Sequence, residues 1–247
     1  MDALQEVNAT ELPYQCGCGQ CTDVTLAITG SCLFWFTFYN SILILCPRLS
    51  PDWTIRIVAG LHGTISALFC FVSAFLLGPW PFSYIGFPPT EFHCNIIVFS
   101  CGYFIFDILW CLYMKTEELI MLLHHLFSLY GFVHVFIFNI YGCEVIAILG
   151  SSEFTNPILQ FRWFMKQGGF YHGNWAKFID YSFVFFFLSA RLVAGLVLLI
   201  WLCLSSRMSL IAKFGGWIMY ALSVAFSVHL IMFVHRKYIS KKPGKED

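Results

Sequence analysis

Apolar residues run through this chain in long blocks that are bounded by charged residues or by Pro and Gly. A helix needs about 20 mostly apolar residues to cross a bilayer core, and seven blocks qualify, near 24–46, 55–77, 95–113, 118–138, 142–160, 178–202 and 214–235. The fifth is the weakest. Glu144, Glu153, Thr155, Asn156 and Pro157 interrupt it, so it is expected to lie buried among its neighbours or to be partly broken. The pattern predicts an all-α integral membrane protein with seven transmembrane helices.

Within the blocks the polar residues are not scattered. Counting about 1.5 Å per residue from one end of each span, His62, Asp107, His124, Glu153 and His229 all fall about 9 to 10 Å deep, one on each of five helices. His125 sits one residue deeper, Ser152 and Asn156 flank the layer, and Arg191 lies near the middle of the sixth span. Residues three or four apart share a helix face. That spacing groups His62, Ser66, Cys70 and Ser73, then Tyr103, Asp107 and Cys111, then His124 and Ser128, then Glu153, Asn156 and Gln160. Each stripe needs a neighbour other than lipid, and convergence of the stripes on one cavity is the economical arrangement.

Composition agrees with the pattern. Of 247 residues 59% are hydrophobic and 11% charged, whereas a soluble domain has about a quarter of its residues charged. A net charge of zero argues against nucleic acid as a partner, because its binders gather a basic surplus. The placement of the charges sets an orientation. With seven spans, eleven of the fourteen Lys and Arg residues fall on one side, only Arg207 and Lys213 on the other, and Arg191 inside the membrane. Short basic loops stay in the cytoplasm, so the amino terminus is expected to be luminal or extracellular and the basic tail cytoplasmic, in the endoplasmic reticulum or plasma membrane.

The first 23 residues contain Asp2, Glu6, Glu11 and Asp23 but no Lys or Arg, unlike the basic start of a cleaved signal peptide; the first span is expected to remain. Asn8-Ala9-Thr10 fits a glycosylation sequon on the expected luminal side. Cys16, Cys18 and Cys21 suit a disulfide there better than zinc, for which a fourth ligand is wanting. The other eight cysteines, Cys94 among them, read as small hydrophobes in or beside the spans. The turn-rich loop from Gly78 to His93 carries aromatics suited to the membrane interface.

A lone buried Asp107 must be protonated or paired, with Arg191 or a histidine as candidates. Histidine and carboxylate together support general base or nucleophilic catalysis, or they bind metal. Metal is disfavoured because His124-His125 offers one good ligand direction per cavity, so no metal or cofactor is expected. The short turn between the third and fourth spans makes them antiparallel neighbours, and Asp107 is expected to approach His124. Adjacent imidazoles point about 100° apart, which is expected to put only one of the two histidines on the cavity.

The chain resembles the TLC domain family, the membrane domain shared by ceramide synthases, translocon-associated proteins and several small proteins. The resemblance rests on Leu61-His62-Gly63, on Gly102-Tyr103-Phe104-Ile105-Phe106-Asp107, on Leu123-His124-His125, and on Gly150 to Pro157 followed by Arg162-Trp163. It covers about 54–236, between a tail (1–23) with the first helix and loop (24–53) and a basic tail (237–247). It implies six helices around a lipid-sized tunnel, preceded here by one more. In ceramide synthases the tunnel holds an acyl chain delivered from coenzyme A, and paired histidines act in its transfer to a sphingoid amine. By position, His124, His125 and Asp107 take the catalytic places, while His62, Ser152, Glu153, Asn156, Arg191 and His229 are candidates to line the substrate cavity. The chain departs from the synthases on the fifth span, where His-Asp and a later Asp are replaced by Ser152-Glu153 and Asn156. A membrane lipid or acyl chain is the expected partner, with acyl-CoA a conceivable substrate and a scaffold the non-enzymatic alternative.

Overall fold

The computed structural model describes residues 21–115 and 119–239. The Asn8 sequon, Cys16, Cys18, the side chain of Cys21, the Thr116-Glu117 turn, and Lys241, Lys242 and Lys245 lie outside the described residues. The fold is helical throughout: α1 Cys21–Leu45, α2 Pro51–Leu77, α3 Glu91–Met114, α4 Leu119–Phe138, α5 Gly142–Glu153, α6 Asn156–Gln167, α7 Gly173–Leu204 and α8 Leu210–Tyr238. Six of these, all but α5 and α6, are long and apolar enough to cross a membrane.

Several helices start about a turn before their hydrophobic run, because the capping residues are polar. Ser50 caps α2, its Oγ accepting from Trp53 N at 3.4 Å, with Pro51 at the first position. Thr90 and His93 form a reciprocal capping box at α3, and Ser209 Oγ accepts from Ala212 N at 3.2 Å on α8. Side-chain acceptors at these positions satisfy backbone N–H groups that have no partner in the helix.

The expected fifth span is two 12-residue helices broken at Phe154-Thr155. Pro157 fits the first turn of α6 but not the middle of a continuous helix, where it would remove a hydrogen bond and clash with the preceding turn. The pair makes contacts toward both ends of the bundle. At one end Tyr141 N donates to Phe87 O at 2.9 Å and Glu144 accepts from Gly86 N. At the other, Trp163 meets Trp53 at the start of α2, ring centroids 5.2 Å apart. We call the second the basic end, since Arg56, Arg162 and Lys237 lie there, and the first the far end, where Arg207 covers the ring of Phe87.

Helix α1 makes its largest interface with α3. Ser31 Oγ and Trp35 Nε1 both donate to Phe99 O, at 2.9 and 3.3 Å, and Gly102 lets Ser31 approach so closely that a Cβ there would collide with it. Trp35 is fully buried. Cys94, at the far end of α3, is disulfide-bonded, which corrects its reading as a free thiol.

Candidate functional site

The break between α5 and α6 builds one wall of the site. Asn156, at the first position of α6, donates from Nδ2 to Ala59 O at 3.3 Å and to Glu153 Oε2 at 3.2 Å. Gln160 Nε2 donates to Asn156 Oδ1 at 2.8 Å, and Arg56 Nη1 donates to Gln160 Oε1 at 3.2 Å. The polar stripe of the fifth span thus becomes a ladder that climbs from Glu153 to the basic end. Gly63 on α2 makes room for it, since a Cβ there would stand 3.0 Å from Asn156 Cβ and 3.2 Å from Glu153 Oε2.

Two imidazole–carboxylate pairs lie behind this wall and across from it. His125 Nδ1 is 3.1 Å from Asp107 Oδ2, and Tyr103 OH donates to Asp107 Oδ1 at 3.4 Å. His62 Nδ1 is 3.4 Å from Glu153 Oε2, and His62 Nε2 shares a 3.0 Å hydrogen bond with Ser66 Oγ. Neither Nδ1 has a well-aligned hydrogen bond, so the pairs are electrostatic contacts rather than directed bonds. The His62 and Tyr103 rings stack at 3.8 Å and 10°, which couples the two pairs through one aromatic layer. Asp107 is therefore partnered by His125, not by His124 as helix depth suggested. Equal depth fixes the level of a residue; rotation of α4 about its axis decides which of two adjacent side chains meets α3.

Between these walls lies a cavity of about 710 Å³, within the range of sites for small ligands, about 300–1,000 Å³. Asp107 and Tyr103 of α3, His124 and His125 of α4, Ser152 and Glu153 of α5, Asn156, Gln160 and Arg162 of α6, and Arg191 of α7 all line it. Trp110, Trp163, Phe183, Phe187 and Phe226 supply aromatic surface. It reaches the surface at the basic end, where its wall includes the exposed Asp52 and Gln167. Both histidines of the adjacent pair face it, against the expectation that only one would.

Two candidates stand elsewhere. His62 is fully buried behind the wall, reaching the site through Glu153. His229 is exposed on the outer face of α8 and is absent from the cavity wall; Phe226 lines the cavity instead and Ser227, two residues before His229, is buried. Among the described residues no three His, Cys, Asp or Glu side chains gather as a metal-binding set.

One group near the mouth has no counterpart in the sequence reading. Asp180 of α7, almost wholly buried, accepts at Oδ1 from Arg162 Nε at 2.6 Å and from Tyr171 OH, and at Oδ2 from Lys237 Nζ at 2.7 Å and Tyr238 OH at 2.6 Å. It ties α6, the loop before α7 and the end of α8 together beside the cavity. An acidic residue at the edge of a span facing basic loops was the available signal.

The geometry has a matching sequence relationship: the family model described as the TLC domain matches residues 52–237, from the first turn of α2 to the end of α8. That range holds every residue of the cavity wall. With three-quarters of its length matched and six helices of membrane-spanning length and apolarity, this chain is a multi-pass integral membrane protein that belongs to the TLC domain family.

Proposed function

We propose that the cavity holds a membrane lipid or acyl chain, and that by binding or processing it this protein influences membrane lipid composition. The carrying observation is the His125–Asp107 pair on the wall of a 710 Å³ cavity with aromatic sides, set among helices most of which are of membrane length. Such a space suits a chain, and the polar layer suits a head group. The fifth span lacks the His and Asp that the resemblance to ceramide synthases implies, which favours binding over acyl transfer.

Acyl transfer is the second reading. It is favoured by the 3.1 Å approach of Asp107 to His125, since an imidazole beside a carboxylate can take a proton from an attacking hydroxyl or amine. Acyl-CoA would then be the acyl donor. The basic end is proposed to be cytoplasmic; the disulfide at Cys94 agrees, because it requires the far end to face an oxidising compartment. Mass spectrometry of the purified protein is expected to find a co-purifying lipid or acyl chain. Its absence would count against binding, and inertness toward acyl-CoA with amines or lysolipids would count against transfer.

A further inference from the structure

Resting on the lipid reading, we infer that Arg191 and His124 recognise an anionic oxygen group, so that the ligand is an amphiphile with a carboxylate or phosphate head. Arg191 stands in a widened turn of α7, Ser189–Ala194; such π turns recur at functional sites. Its one hydrogen bond is a long one, from Nη2 to Ser152 O at 3.4 Å, and its buried Nε has no partner. No carboxylate lies within 4 Å of it among the described residues.

The buried carboxylates are committed elsewhere: Asp107 to His125, Glu153 to His62, Asp180 to Arg162 and Lys237, and Glu144 to Gly86 N. A guanidinium at this depth with no carboxylate in direct contact is expensive, and its planar fork of donors matches a carboxylate or phosphate. His124 adds a second open donor. Its ring makes no hydrogen bond, its Nδ1 is buried without a partner, and it rests edge-on against Phe226. Both residues line the cavity. Arg56 on the same wall nearer the mouth adds positive charge along the path of an entering anion.

The test is a titration of the delipidated full-length protein in neutral detergent with four amphiphiles: oleate, oleoyl lysophosphatidate, oleyl alcohol and oleylamine. Oleate or the lysophosphatidate is expected to bind at least about tenfold more tightly than the alcohol, the scale of one hydrogen bond to a charged group; which one leads tells carboxylate from phosphate. Arg191→Gln is expected to abolish that preference while alcohol binding persists, and Arg191→Lys to keep part of it. Equal or tighter binding of the alcohol or amine by the unmodified protein overturns the inference and leaves the lipid reading standing. Failure of all four to bind overturns both. If Arg191→Gln does not fold, the ranking in the unmodified protein and in Arg191→Lys decides.

Discussion

His124 and His125 are neighbours in the chain and opposite in circumstance. His125 lies 3.1 Å from Asp107, whereas among the described residues no carboxylate lies within 4 Å of the His124 ring. Truncating His125 leaves a buried carboxylate short of its counterpart, so His125→Ala is expected to destabilise by about 1 to 3 kcal/mol. His124→Ala removes an imidazole that satisfies nothing inside the protein; its fold should survive while the bound or cellular lipid profile moves toward that of the null. Thermal melting in detergent and lipid mass spectrometry read the two effects. Equal loss of stability in both variants, or an unchanged lipid profile in both and in the double variant, would contradict this division. The identity of these residues was legible in the sequence, since a titratable group in an apolar span stands out. Which one meets Asp107 was not, because one residue is about 100° of rotation on a helix and only packing sets that angle.

At the scale of the element, the fifth passage shows how local chemistry and packing divide the work. Pro157 and the polar run before it foretold a weak or broken span. That the break would turn Glu153, Asn156 and Gln160 into a ladder against α2 depends on Gly63 and Ala59, about a hundred residues away. Close approach also governs α1 and α3. Gly102→Ala is expected to destabilise by about 1 to 3 kcal/mol through overpacking against Ser31 and the backbone of Cys32. An unchanged melting temperature in Gly102→Ala would argue against that contact. The joint at Asp180 makes a third prediction. Asp180→Ala leaves Arg162 and Lys237 without their counter-ion and should lower stability by about 3 to 5 kcal/mol, whereas Lys237→Met, at a more exposed partner, should do less. Equal melting temperatures for all three proteins would refute the joint.

For the whole molecule, the loops collect at two ends. Residues 78–90, 139–141 and 205–209 meet at the far end through Phe87, Tyr141, Arg207 and Ser209, and the α6–α7 loop meets the end of α8 at Asp180. An epitope inserted at Ser83 should therefore stay protected when the plasma membrane alone is opened, if the protein resides in an internal membrane, and one inserted after Gly169 should be accessible; equal exposure of the two would sink the seven-passage arrangement. The sequence by itself determined the membrane class, the all-helical fold and the weakness of the fifth apolar block, because hydrophobic length and charge act through the solvent and need no partner. It could not determine that α1 docks on α3, that His62 lies behind the wall and His229 outside it, that both adjacent histidines face the cavity, or that among the described residues no carboxylate lies within 4 Å of Arg191. Those depend on helix rotation and on contacts between distant residues, so only the tertiary structure decided them.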